Sequence, residues 1–151
     1  MAEERDIVWM RHAISLAKTA EQQAEVPVGA VLIYEDKVIG EGYNQPISLC
    51  DPSAHAEMIA LRHGAKTRNN YRLPQSTLYV TLEPCIMCLG AIVHARVERV
   101  VFGAYDQRAG AVQSAFQMGT TNQFNHRVIY QGGLLAEECG LLLSEFFKAR
   151  R

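Results

Sequence analysis

Two short segments about thirty residues apart, His55-Ala56-Glu57 and Pro84-Cys85-Ile86-Met87-Cys88, restrict this chain to folds that bring two helix starts to one point. Each segment opens an apparent helix, and the second follows an apolar, strand-like run. Zinc prefers imidazole nitrogen and thiolate sulfur, and a hydrolytic zinc takes three protein ligands, leaving the fourth tetrahedral position for water. His55, Cys85 and Cys88 supply that set, so one Zn2+ per subunit is expected. Cys85 and Cys88 stand three apart, which places both sulfurs on one side of a helical turn. Pro84 suits a helix start because it has no amide to leave unpaired. The exposed N–H groups of such a start favour anions and lower thiol pKa values. The same dipole repels a cation by about 1 kcal/mol. That is small beside the roughly 10–16 kcal/mol of binding in small zinc peptides.

Two thiolates and a neutral histidine cancel the charge of Zn2+, so this metal acidifies its water less than one held by three histidines. A base beside it is therefore useful. Glu57, two residues after His55, can take the water's proton, pass it to a ring nitrogen and then protonate departing ammonia. Hydrolytic deamination is the reaction such a set suits. Alone, C-x-x-C fits a structural zinc half-site or a redox pair; its conjunction with H-x-E is far more specific. The alternative from another class is a structural tetrahedron closed by Cys50 or Cys139 in a non-catalytic RNA-binding module, which leaves Glu57 without a role.

Composition narrows the class. With 48% hydrophobic and 21% charged residues, 151 residues suit one domain, 1–151, with a real core. Fifteen basic against sixteen acidic side chains give a net charge of -1. Bulk charge therefore does not advertise a nucleic-acid partner, and any such contact must be local. There is no basic-then-apolar leader, and no run approaches the roughly 18 apolar residues of a membrane span. The cysteines do not suggest a disulfide framework, so a reducing cytoplasm is expected.

The spacing of Ile7, Met10, Ile14 and Ala17 predicts an amphipathic helix over Arg5–Ala24. Val28–Tyr34 and Val38–Tyr43, around Glu35-Asp36-Lys37, read as a hairpin. After Asn44, a loop leads to a helix over Ala54–Ala65 that carries His55 and Glu57 in its first turn. Asp51 or Ser53 is its expected cap. Gly64 marks its end, and His63 reads as a partner for the helix dipole. Ser76–Leu82 is a buried strand, Cys85–Ala95 a helix and Arg99–Ala104 a strand. This β-α-β unit makes its two strands parallel. A loop-rich stretch from Tyr105 to Asn125 precedes a short strand, Arg127–Tyr130, and a final helix, Leu134–Arg150, with Cys139 in its apolar stripe. The order implies an α/β chain: a three-layer α/β/α fold with a five-stranded mixed sheet and a pocket where both metal-bearing helix starts meet.

H-x-E followed by P-C-x-x-C is the known signature of zinc nucleobase deaminases. More specifically, Val26-Pro27-Val28-Gly29-Ala30-Val31, Ala54-His55-Ala56-Glu57, Thr81-Leu82-Glu83-Pro84-Cys85, Val101-Phe102-Gly103-Ala104, Asn125-His126-Arg127-Val128 and Leu141-Leu142-Leu143-Ser144-Glu145-Phe146-Phe147 resemble motifs of one family. It is the bacterial tRNA-specific adenosine deaminase (TadA) family of the zinc cytidine/deoxycytidylate deaminase superfamily, and the likeness runs nearly end to end. The resemblance implies a cytidine-deaminase-like fold and conversion of the wobble adenosine of a tRNA anticodon stem-loop to inosine by a homodimer. It implies that His55, Cys85 and Cys88 hold zinc and that Glu57 is the proton shuttle. Asn44, otherwise a turn residue, gains a role at the edge of the bound purine. Pro27, Val28, Ala54 and Leu82 match the base pocket, and Asp106 would contact the RNA backbone. Phe147, with Lys148, Arg150 and Arg151, resembles the family's RNA-touching C-terminal helix, whereas Phe146 reads as core.

An anticodon loop presents bases already near extrusion, so unstacking costs only about a few kcal/mol. Local phosphate contacts can supply binding despite the negative net charge. One departure stands out: between Ser114 and Phe124 the family usually carries a leucine-rich turn with an acidic residue and His-Pro. This chain reads Ala115-Phe116-Gln117-Met118-Gly119-Thr120-Thr121-Asn122-Gln123, which bears on RNA contacts and tRNA choice, not on zinc chemistry. Within enzymes, free cytosine, cytidine or guanine is the alternative substrate.

Overall fold

Nine elements follow one another in the expected order in the computed structural model, which describes residues 2–121 and 123–150. They are α1 (Ala2–Gln22), β1 (Gly29–Tyr34), β2 (Lys37–Tyr43), α2 (Ala56–Arg68), β3 (Thr77–Leu82), α3 (Ile86–His94), β4 (Arg99–Ala104), β5 (Ile129–Gly132) and α4 (Ala136–Lys148). The strands lie in the order β2-β1-β3-β4-β5, antiparallel from β2 to β3 and parallel from β3 to β5. The fold is the expected three-layer α/β/α arrangement around a five-stranded mixed sheet. Arg151 and Asn122 lie outside the described residues.

Period-two alternation divides the core. Ala30, Leu32, Leu78, Val80, Val100 and Phe102 face α2 and α3, where Ala56, Ala60, Leu61, Leu89 and Ile92 cover them. Val31, Ile33, Tyr79 and Val101 face the other way, against Met10, Ala13 and Ile14 of α1 and Cys139 of α4. Cys139 is thus a core residue, as its stripe predicts.

This topology collects the functional segments at one end of the sheet. The parallel pair puts Leu82 of β3 beside Ala104 of β4. β1 runs the other way, with Ala30 beside Val80, and β2 returns so that Tyr43 pairs with Gly29. The start of β1, the ends of β2, β3 and β4 and the starts of α2 and α3 therefore share an edge, the crevice where open α/β sheets bind ligands. Close packing holds α2 there: a Cβ on Gly42 would stand 2.6 Å from the Ala56 carbonyl oxygen and 2.8 Å from Ile59 Cβ.

Several boundaries differ from the sequence reading. Gly64 does not stop α2; it packs on Leu32 inside the helix, which ends at Asn69 in the left-handed region at φ 51°. His63 Nδ1 accepts the Glu41 N–H at 3.1 Å and so ties α2 to β2 rather than serving the helix terminus. Asp51 does not cap α2; its Oδ1 accepts the Ser53 N–H at 2.9 Å inside the loop. β5 begins two residues late, at Ile129, because pairing with Arg99 sets its register and leaves Val128 buried in the core.

At the opposite end of the sheet, Arg99 donates to both carboxylate oxygens of Asp6, at 3.0 and 2.5 Å, and the Tyr79 hydroxyl donates at 2.6 Å. Burial alone would raise the Asp6 carboxyl, but these donors hold it below its ordinary 3.8. A depressed carboxyl stabilises the fold above its unfolded pKa and loses that effect as pH falls through the folded value. Asp6→Asn is expected to cost about 1.5–3 kcal/mol in urea unfolding at pH 7. The gap from the unsubstituted protein should close below about pH 4.

Candidate active site

The two helices that meet at the sheet edge each begin with a metal-ligand residue in the cap position. His55 precedes α2 with φ -74° and ψ 154°, and Cys85 precedes α3 with φ -77° and ψ 174°. Both stand just outside their helices rather than in the first turn. Neither side chain makes a cap hydrogen bond, so both are available to each other. Asn44 supplies the missing cap of α2: its Oδ1 accepts the Ala56 N–H at 2.8 Å, while its own N–H donates to the Val28 carbonyl at 3.1 Å.

His55 Nδ1 lies 3.5 Å from Sγ of Cys85 and 3.5 Å from Sγ of Cys88. All three donor atoms fall within 4.8 Å of one another. Tetrahedral zinc with ordinary Zn–N and Zn–S bonds separates nitrogen from sulfur by about 3.6 Å. The donor set therefore fits zinc in type and spacing. Among the described residues no fourth ligand joins it. Cys50 is exposed with its thiol toward the Ile47 carbonyl, and Cys139 sits in the opposite core layer. A closed structural tetrahedron is thus not the arrangement present, and one position is left for a reactant.

Glu57 stands in the first turn of α2, only 4% exposed and within hydrogen-bonding reach of Cys88. Burial pushes its carboxyl up to about 7, a value suited to taking and returning a proton near neutrality. The Cys88 thiol donates to Cys85 and, with His55 also beside it, brings the Cys85 thiol down to about 4; the same bond raises Cys88. Hydrogen bonding to Cys85 raises His55 as well. The two adjacent sulfurs are thus pushed in opposite directions, because neighbouring thiolates repel and a proton shared between them favours one charge over two. Bound by His55, Cys85 and Cys88, a dication would favour both thiolates and displace the proton they share.

Around this centre Pro27, Val28 and Ala54 are buried and Leu82 is half-buried. Asp106, half-buried just after β4, accepts the N–H groups of Arg108 and Ala109 at 3.0 and 3.2 Å through Oδ1. All these residues belong to the same sheet edge. Phe147 does not: it sits on α4 in the other helical layer, 49% exposed, with its ring edge-on to Phe146, which is 5% exposed. A hollow of about 430 Å3 lined by Arg5, Trp9 and Gln75 lies at the far end, where Asp6 and Arg99 already satisfy each other.

Two buried carboxylates escaped the sequence reading. Glu25, 1% exposed, accepts the Ile47 and Ser48 N–H groups at 3.3 and 2.7 Å and the Ser48 hydroxyl at 2.6 Å, pinning the loop that leads toward His55. Glu83, 2% exposed, pins the loop after β4. The only local signal for Glu83 was a charge closing an apolar strand directly before the metal motif.

Known proteins agree with this geometry. Residues 3–104 match the family described as the cytidine and deoxycytidylate deaminase zinc-binding region. The chain is 54% identical over 149 residues to the tRNA-specific adenosine deaminase of Haemophilus influenzae, covering 98% of this chain and 86% of that one. It is 43% identical over 147 residues to the Bacillus subtilis protein of the same name, covering 97% and 91%. A structure solved in work on A-to-I editing by tRNA:A34 deaminases at the wobble position superposes with a TM-score of 0.86 at 38% identity, covering 89% of this chain and 98% of that one.

Zinc binding to the metal-free protein is expected to release protons, so affinity should rise with pH; calorimetry in two buffers of different protonation enthalpy measures the release. Cys88→Ser is expected to lower zinc affinity by at least about tenfold, read by competition with a chromogenic chelator.

Proposed function

This chain belongs to the cytidine and deoxycytidylate deaminase zinc-binding family and, by identity along nearly its whole length, to its tRNA-specific adenosine deaminases, and we propose that it converts the wobble adenosine of a tRNA anticodon loop to inosine. The observation that carries this reading is the three-donor metal set with buried Glu57 beside it, at an edge walled by apolar residues.

His55, Cys85 and Cys88 would hold zinc, which when bound would supply an activated water as nucleophile at neutral pH. The remaining work falls to side chains. Glu57 takes one proton of the attacking water and delivers it to N1, the ring nitrogen beside C6. Once the water oxygen has bonded to C6, Glu57 takes the remaining hydroxyl proton and gives it to the amino group, so that the C6–N bond breaks, ammonia departs and the C6–O bond becomes a carbonyl. Because Asn44 Oδ1 is occupied by the Ala56 N–H, the amide NH2 is the end offered to the purine edge. Pro27, Val28, Ala54 and Leu82 form the walls that exclude water from the base. Asp106 meets the RNA backbone, and Phe147, with Lys148 and Arg150, touches the anticodon loop farther out. Adenine C6 inside a stacked helix cannot reach such a site, whereas a loop base can be extruded for about a few kcal/mol.

The reading extends to the whole chain as one deaminase domain, 1–151, since β5 and α4, which lie beyond the family match, complete the sheet and the second layer. It also includes a homodimer, as the family resemblance implies; Ile86 and Phe116, each 52% exposed, are apolar surface that a second copy can cover. A cytoplasmic location suits the tRNA substrate. No helix among the described residues is long and apolar enough to cross a membrane.

An anticodon stem-loop RNA with adenosine at the wobble position should yield inosine, while free adenosine, cytidine and guanine should not turn over. Glu57→Ala is expected to keep its zinc and lose about 10²–10⁴-fold in rate. Turnover of a free base with none of the RNA would reject the tRNA substrate and leave the zinc chemistry standing.

A further inference from the structure

Glu83 makes a dense set of hydrogen bonds and takes no part in the chemistry above. Its Oε1 accepts the Asp106 N–H at 3.0 Å and the Ser114 hydroxyl at 2.5 Å. Its Oε2 accepts the N–H groups of Gln113 at 2.8 Å and Ser114 at 3.0 Å. Backbone bonds run alongside: the Glu83 N–H donates to the Ala104 carbonyl at 2.9 Å, and the Ala111 N–H donates to the Pro84 carbonyl at 2.8 Å. The loop from Tyr105 to Ser114 is therefore fastened to the two residues that precede the ligand Cys85. Gly110 closes over the clamp, since a Cβ there would collide with the Glu83 carboxyl group.

We propose that Glu83 is a positioning residue for the RNA substrate: through the 105–114 loop it sets Asp106 against the mouth of the zinc site, so that RNA binding depends on it and the chemical step does not. The proposal rests on the tRNA reading above.

Only a carboxylate can do this. Three of the four donors are backbone N–H groups, which cannot reverse their role, and both oxygens must accept. The grip on Asp106 is through its backbone N–H, and the Asp106 side chain is bonded to the next turn of the same loop. Its orientation thus follows that of the clamped backbone. The metal ligands are placed by other bonds: the Leu89 N–H donates to the Cys85 carbonyl at 2.8 Å and the Ile59 N–H to the His55 carbonyl at 3.1 Å. None of the clamp's side-chain bonds involves His55, Glu57, Cys85 or Cys88. The Ala115–Gln123 stretch that departs from the family pattern begins directly after the clamp's last partner, Ser114.

Steady-state kinetics of the zinc-loaded full chain on the wobble-adenosine stem-loop test the idea, with zinc content measured in parallel. In Glu83→Gln an NH2 must face at least one N–H donor. The less unfavourable orientation puts it at the Oε1 position, where only the Asp106 bond is forfeited, because the Ser114 hydroxyl can turn to accept. KM is expected to rise about tenfold, as for one lost hydrogen bond to a charged group, with kcat and zinc content unchanged. Ser114→Ala removes a single hydroxyl donor and should raise KM about two- to threefold. A fall in kcat at unchanged KM would overturn the proposal. If Glu83→Gln does not fold or loses its zinc, Ser114→Ala decides, and an unchanged KM there overturns it. An inactive unsubstituted enzyme would remove the tRNA reading and this proposal with it, whereas normal activity with unchanged KM in both variants would remove the clamp alone.

Discussion

Three donor atoms carried by two separate helix starts must come within one zinc tetrahedron, and most of the architecture serves that convergence. Nδ1 of His55 reaches 3.5 Å from both sulfurs because α2 and α3 begin at the same sheet edge. α3 begins there because it is the crossover of a parallel pair, β3 to β4. α2 begins there because the β1–β2 hairpin returns the chain to the same end, and because the absence of a side chain at Gly42 lets the helix settle on β2. Alternating core residues on both sheet faces then stabilise the sheet that carries this edge, each large apolar side chain contributing about 1.5–3 kcal/mol on burial.

Three buried glutamates show how surroundings, rather than burial, assign a role. Glu25, Glu57 and Glu83 are 1%, 4% and 2% exposed. Burial raises the pKa of each, yet only Glu57 ends high, at about 7, while Glu25 and Glu83 end below their ordinary value. The difference is the number of N–H and O–H donors aimed at the carboxylate. Glu25 and Glu83 are surrounded by loop amides and hydroxyls and stay ionised as anchors. Glu57 faces sulfur and imidazole instead, which leaves it able to exchange a proton. The two anchors hold one loop leading toward His55 and one leaving beside Cys85. Loop placement thereby falls to Glu25 and Glu83, while Glu57 stands beside the metal-ligand set without loop donors.

Element order and site chemistry could be read from residue types because both are written locally. Period-two and period-3.6 patterns name strands and helices within a few residues, and H-x-E with P-C-x-x-C names a ligand set. Boundaries were less legible, for reasons that lie in packing. His55 and Cys85 read as first-turn residues because a cap position has no compositional mark when its side chain caps nothing. Gly64 read as a stop, yet it serves contact with Leu32, and that contact depends on a strand some thirty residues earlier. β5 was displaced because its register is set by partner residues on β4, beginning with Arg99.

The three-residue metal set and the order of layers were thus present in the amino-acid sequence itself, since ligand chemistry and side-chain periodicity act over a few residues. Tertiary structure alone decided which buried carboxylates are held below their ordinary pKa and which is pushed above it. The donors that settle the question come from far along the chain: 22 and 23 residues away for Glu25, and 23, 30 and 31 residues away for Glu83. A glutamate does not carry its partners in its neighbourhood of sequence, and its pKa and its role exist only once folding has brought those partners to it.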